Sequence, residues 1–451
     1  MMIKKIRFSF LLYVLTLLLG CSFDNKTGIW SGGEKEKRRI AELEERQRKT
    51  ISIEKIFITP NALDEEISNG TTISLTKSLK NLSWHMPGLN LQNFLGNIYL
   101  PSINNNFLKK RIGKKKYTFS KIRLSPLIFK DNIYLADDTG SIYRITQNGK
   151  VVWKSNIYKK IYKKIHKNIS FTIYKNRIYV ADNIGFIYSL SVETGKVAWI
   201  KNHAIPFKSK IKVSDGKIYL INQDNRLVCL DINKGTLIWD NRSIKSFIKT
   251  QNFLSLAISN EGDLISLDSS GNLLKVNAKN GRFNWSLTTE KTGLVQGSNF
   301  FASSNIVLVD KDIFFSTPTS IFSYNLDNGY INWSKNIPSK NTPIVDGNYV
   351  FTISDNGYFV NLDRKKGEII WSTNILKILK KKKQNTQIVG YVLGSGKIYA
   401  LSSNGYLIVS SALSGKVEYS KKIAKSISSP PVISDGSLYI LTEDSKILGF
   451  D

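Results

Sequence analysis

An internal repeat constrains this chain more than any other feature. An indole or, once, a phenol recurs at Trp153, Trp199, Trp239, Trp285, Trp333, Trp371 and Tyr419, at spacings of 46, 40, 46, 48, 38 and 48 residues. That period is the length of a four-stranded propeller blade. Glycine stands four residues before every one of these marks, at Gly149, Gly195, Gly235, Gly281, Gly329, Gly367 and Gly415. The recurrence defines a structural unit.

Upstream of each glycine lies a block such as DGKIYLINQDNRLVCLDINKGTLIW at 215–239 or DGNYVFTISDNGYFVNLDRKKGEIIW at 346–371. Apolar side chains alternate along it, as in Ile218 and Leu220 and then Leu227 and Cys229, so each piece has one inward and one outward face, the pattern of a strand. Asp-Gly and Asn-Gly pairs separate the pieces, and their glycines accept the positive φ of a tight hairpin. A preceding strand completes each set of four, at 125–129, 341–345 and 428–434. Each tryptophan belongs on the outer strand, packed between neighbouring blades, with no catalytic part.

An eighth block, SSPPVISDGSLYILTEDSKILGFD, runs to Asp451 without an outer strand. Two earlier segments could supply it, NNFLKKRIG at 105–113 or LSWHM at 82–86, and the first, which adjoins the first blade, is the expected one. Closure matters because an open sheet edge invites aggregation. The predicted fold is therefore all-β, an eight-bladed β-propeller of four-stranded blades.

The chain opens like an export signal, with Lys4, Lys5 and Arg7 ahead of the apolar run Phe8–Leu19, which is short for a membrane span. Leu18-Leu19-Gly20-Cys21 follows, in the form of a bacterial lipoprotein signal; a plain signal peptide with a chance cysteine is the alternative. Acyl chains on Cys21 would hold the protein on a membrane without spanning it. The expected divisions are a signal peptide at 1–20, a tether with a charged helical run at 21–80, an N-terminal segment with the ring-closing strand at 81–116, and the propeller at 117–451. Cys229, the only other cysteine, has the setting of a small buried hydrophobe.

The formal charge is +30. Such a charge points to an acidic partner or to the base composition of a genome that favours Lys, Asn and Ile; export argues against nucleic acid. The basic runs at 109–116, 154–167 and 377–383 are all expected in connections from an outer strand to the next inner strand, and so on one rim. Tyr158, Ile161, Tyr162 and Ile165 add an apolar stripe within the second run, or a solvated loop.

The block Asp-Gly-x-Ile-Tyr, Asn-Gly-x-Leu, Leu-Asp, Thr-Gly-Lys-x-x-Trp resembles the repeat of pyrroloquinoline-quinone (PQQ)-type propellers over residues 117–451. With Cys21 and a short tether, it resembles the BamB-like lipoproteins of the outer-membrane β-barrel assembly machinery; the stretch at 81–101 is similar to the longer N-terminal region of alphaproteobacterial members. The resemblance implies a non-catalytic scaffold, acylated at Cys21 (palmitate among the expected modifications). It would be a monomer within a hetero-complex on the periplasmic face of the outer membrane, bound to the periplasmic domains of the barrel-inserting subunit BamA and to other assembly subunits. The family's contact maps onto the connector 240–252, with Phe247, Ile248 and Lys249 as partner-binding candidates; an ordinary strand entry into blade four is the alternative.

Two other functions compete with that one. A PQQ-dependent periplasmic dehydrogenase would share the repeat, but the quinoproteins carry an adjacent cysteine pair and a Glu, Asn and Asp set for calcium. Neither a Cys-Cys pair nor a convergent acid set is evident here: Asp231, Asp268, Asp327 and Asp363 are expected at one turn position. His85, His166 and His203 lack metal-ligand spacing, and nucleophile-elbow and phosphate-loop motifs are missing. No cofactor and no metal are expected. A propeller that binds an envelope polymer or anionic lipid through its basic rim is the third class.

Overall fold

The computed structural model describes residues 63–451 apart from 69, 71, 115, 117–123, 243–253, 290–301 and 384, and before them only 22–23, 30–31, 38 and 41–42. Cys21 and the trio Phe247, Ile248 and Lys249 lie outside the described residues. The chain forms two compact units, 1–61 and 62–451. In the first, Ser22–Phe23 pairs antiparallel with Trp30–Ser31, and the charged run is helical at Arg38, Ala41 and Glu42, all exposed.

In the second unit, the alternating blocks fold into eight antiparallel sheets. Their inner strands are, from blade 1 to blade 8, Leu127–Phe129, Ile169–Tyr174, Lys212–Ser214, Ser255–Ile258, Val307–Val309, Ile344–Asp346, Ile388–Gly394 and Val432–Ser434. Seven outer strands follow in sequence, from Val151–Ser155 in blade 1 to Val417–Lys422 in blade 7. The eighth comes from the other end of the chain: Asn106–Arg111 pairs antiparallel with Lys446–Phe450. LSWHM is not that strand; Trp84 instead exchanges hydrogen bonds with Ile128 on the inner edge of blade 1.

One bulge recurs in all eight blades, between the third and outer strands, for example at Ser189/Leu190 and Asn361/Leu362. It lies beside the residue that faces the tryptophan, so Trp199 stands opposite Ser189 and Trp371 opposite Asn361. An extra residue there bends the outer strand and turns the indole toward the next blade. Each indole then lies against the glycine of that blade: a Cβ on Gly367 would come within 2.5 Å of the Trp333 ring, and one on Gly415 within 2.7 Å of Trp371. These glycines also hold φ of +68° and +73°, a region that costs other residues. The spacing of four is thus set by packing across the blade seam. Trp153, Trp285 and Trp333 fix the seam further by donating Nε1–H to the carbonyls of Val192, Leu326 and Arg364 in the following blade. At the closing seam Leu108 and Lys110 take the place of the indole against Gly149.

The acids of the repeat divide into two turn positions, which corrects their assignment to one. Asp231 and Asp363 cap the turn into the outer strand, each accepting two main-chain N–H bonds. Asp268 instead caps the hairpin between the second and third strands, like Asp137 and Asp182. In blade 5, Asn325 takes the first role and Asp327 pairs with Lys311 on the surface. An amide oxygen caps a turn as a carboxylate does, so the sequence pattern hid the difference.

Residues 63–80, expected as tether, belong to the propeller unit. Ile67–Ser68 adds a fifth strand to the outer edge of blade 6, and Thr76 donates through its N–H and Oγ1 to the Asp346 carboxylate.

Candidate functional site

The inner strands of a propeller present an unpaired edge to the central channel, and those main-chain groups need partners when buried. Here the segment 76–101 supplies them at one end of the channel, as a strap. His85 O accepts from Ile173 N in blade 2, Leu91 O from Ile258 N in blade 4, and Gln92 O from Leu308 N in blade 5. Ile98 pairs with blade 7 and Asn81 with blade 8, and Thr76 and Trp84 add blades 6 and 1. Most of these bonds fall toward the C-terminal ends of the inner strands, so the strap seals the end that carries the hairpins into the second strands.

Lys212 pins the strap to blade 3. It opens its inner strand where other blades place Leu127, Val307, Ile344 and Val432, each opposite an aromatic ring of the second strand. Its side chain is fully buried and gives its three N–H bonds to Pro87 O at 2.7 Å, Asn90 O at 2.5 Å and Asn93 Oδ1 at 2.8 Å. Asn93 in turn donates to Leu256 O and Ile306 O. Burial pushes the Lys212 ammonium well below its usual value, with the nearby Lys210 adding to the effect.

Above the strap the channel holds a cavity of about 690 Å³. Trp84, Pro87 and Leu95 of the strap form part of its lining. The remainder comes from inner strands and from the connections that lead into them, such as 303–305, 340–342 and 428–431, so the cavity faces the opposite end from the strap. That end is the rim expected to gather the basic runs. The run at 154–167 crosses it as a 3-10 turn, Lys160–Lys164, and Lys116 donates its Nζ to Lys163 O at 2.8 Å, which joins two of the runs. The third forms a 3-10 segment, Ile375–Lys383, at the connection from blade 6 to blade 7. Only part of the first run lies on the rim, because Lys109, Lys110 and Arg111 belong to the ring-closing strand.

The apolar stripe divides. Tyr158 is buried and donates to Asp182 at 2.6 Å, and Tyr162 meets Phe186 edge-on. Ile161 and Ile165 point outward, 75% and 44% exposed. Lys167 folds beneath the turn, bonded to Tyr162 O and Ile165 O and lying over the Tyr158 ring. Cys229 is buried in blade 3, and burial pushes its thiol up to about 12. Burial likewise holds His85, His166 and His203 below the usual imidazole value.

Eight blades built on this repeat around one channel define a β-propeller of the PQQ-like class. Within that class, the model of one family, described as outer membrane protein assembly factor BamB, matches residues 138–373, just over half of the chain. The chain belongs to that family. It is 21% identical over 289 residues to the outer membrane protein assembly factor BamB of Moranella endobia, an overlap of 58% of this chain and 67% of that one. Its fold matches the crystal structure of BamB from Moraxella catarrhalis with a TM-score of 0.62 at 15% identity, covering 76% of this chain and all of that one. The quinohemoprotein alcohol dehydrogenase of Comamonas testosteroni shares the fold as well, with a TM-score of 0.62 at 10% identity over 83% of this chain and 81% of that one.

The residues present do not fit a calcium-held quinone. Among the described residues the cavity lining contains no carboxylate and no cysteine, whereas calcium takes about six to eight oxygen ligands, with carboxylates prominent among them. Among the described residues no group of three or more His, Cys, Asp or Glu could hold a metal.

Proposed function

We propose that this protein serves outer-membrane protein assembly as a non-catalytic scaffold. It is held by lipid on Cys21 at the periplasmic face of the outer membrane, where its open rim binds the periplasmic domains of the BamA-type barrel-inserting subunit. Membership of the BamB family supports the role. The observation that carries the choice of surface is the asymmetry of the channel: one end is taken up by the chain's own strap, while the other gathers exposed lysines and Ile161 beside an open mouth.

Within that rim the connector 240–252 is the proposed centre of the contact, with Phe247 and Ile248 as apolar anchors and Lys249 at their edge. Binding hot spots are a few desolvated side chains at the centre of a contact, and truncating one typically costs about 2 kcal/mol or more. The test is capture of the purified periplasmic domains of the cognate barrel-inserting subunit by wild type and by the double variant Phe247→Ala, Ile248→Ala. Affinity should fall about tenfold or more, equivalent to about 1.4 kcal/mol or more, with the melting temperature unmoved. Undiminished capture, or a variant that unfolds, would return these residues to an ordinary strand entry.

A further inference from the structure

The lysine two residues before the strap anchor is treated differently by the fold. Lys210 corresponds in register to Ser125, Asn305, Thr342 and Pro430 of other blades, one inward-facing step ahead of the Lys212 position. It lines the cavity. Lys212 has three acceptors, but among the described residues Lys210 has no hydrogen-bond or ion-pair partner, and enclosure by protein pushes its ammonium down to about 8. Lys210 is half-buried, and a cation partly withdrawn from water without a counter-charge sits at a cost that a bound anion would relieve. Among the described lining residues none is acidic: the other titratable side chains there are Lys340, which has a loose surface pairing to Asp355 at 3.9 Å, and Tyr391, whose hydroxyl donates to Phe351 O.

The rest of the lining has two characters. Trp84, Leu127, Phe171 and Val392 make apolar wall, and Asn305 and Gln387 bring amides near the mouth. A volume of about 690 Å³ lies within the usual range of small-molecule sites, roughly 300–1,000 Å³. We propose that this cavity is a binding site for a small molecule with one carboxylate on an apolar body, the carboxylate paired with Lys210 Nζ. A single ammonium matches the single charge of a carboxylate; a phosphate monoester, at about −1.5 to −2 near neutrality, would remain undercompensated. The apolar body displaces water from the walls, which strengthens the ion pair. This site is independent of the rim contact with an assembly partner.

The probe is 1-pyrenebutyrate, with its neutral amide, 1-pyrenebutanamide, as the control, each titrated by fluorescence anisotropy into the full chain and into the Lys210→Met variant. Wild type should bind the carboxylate about tenfold or more tighter than the amide, and Lys210→Met should erase that preference while leaving amide binding in place. In wild type the carboxylate affinity should also fall as pH rises above about 8, the ammonium value of Lys210, because the pair needs the protonated lysine; this readout does not depend on the variant. Lys340→Met, at the mouth, should change the preference by less than threefold. Equal binding of the two probes by wild type, or a preference that survives Lys210→Met or stays flat through pH 8–10, would overturn the proposal.

Discussion

Two lysines at the entry to one inner strand face the two ends of the channel, and the fold uses them in opposite ways. Lys212 meets the strap and fills all three of its hydrogen bonds with carbonyl and amide oxygens. Lys210 faces the open cavity, without a partner among the described residues. The same contrast holds for the ends themselves. At the strapped end, main-chain groups of six inner strands and the side chains of Asp346 in blade 6 and Lys212 in blade 3 are bonded by one segment of the chain, so a change there disturbs several blades at once. At the open end the connections are tied by local bonds, such as Tyr158 to Asp182 and Lys116 to Lys163, and leave lysines and Ile161 to solvent. A propeller of near-identical blades thus acquires one structural end and one end available for binding.

Breaking the strap anchor should have the largest effect. Lys212→Ala leaves Pro87 O, Asn90 O and Asn93 Oδ1 without their shared donor, and a buried polar group left unpaired costs about 1–3 kcal/mol; with three released together, denaturant titration should find a loss of about 3 kcal/mol or more, and a loss under about 1 kcal/mol would mean that the strap is not pinned there. Next in size is the opposite substitution one step along. Lys210→Met removes an uncompensated charge, so at pH 7 it should raise stability by about 1–3 kcal/mol. The pH dependence sharpens the contrast. The folded-state value of Lys210, about 8, lies below the ordinary 10.5, so between them the unfolded chain binds more protons and stability rises with pH. The destabilisation is therefore fully present below pH 8 and relieved toward pH 10.5, with a slope of at most about 1.4 kcal/mol per pH unit, and Lys210→Met should lower that slope. An unchanged slope would place the titration elsewhere. The smallest effect belongs to the rim: Tyr158→Phe removes one buried hydrogen bond to Asp182 and should cost about 1–3 kcal/mol, at the low end of that range because Asp182 keeps its main-chain donors at 184, 185 and 186.

The blades were legible in the sequence because each repeat carries its own physics: alternation sets the faces, Asp-Gly and Asn-Gly set the hairpins, and the Gly-x-x-x-Trp spacing records contact between an indole and the next blade's glycine. Ring closure by 106–111 was legible because the eighth block lacked an outer strand. The strap was not, since residues 76–101 have no period and take their conformation from the edges they cover, as Asn93 shows by holding φ at +56° beside Gly88. Nor was the cavity charge recognised, although a signal existed: Lys210 and Lys212 stand at the entry to one inner strand where other blades carry small, polar or aliphatic side chains. The shared turn position assigned to four aspartates failed for a related reason, because Asn and Asp exchange freely at such turns.

The direct measurement is site-specific photocrosslinking in intact cells from the two ends of the channel, with the reactive group at Ile161 on the rim or at Leu82 on the strap, side chains 75% and 71% exposed. The barrel-inserting subunit should be captured from Ile161 and not from Leu82. Capture from Leu82 alone would assign the partner to the strapped end and contradict the division of the propeller into a structural and a binding face.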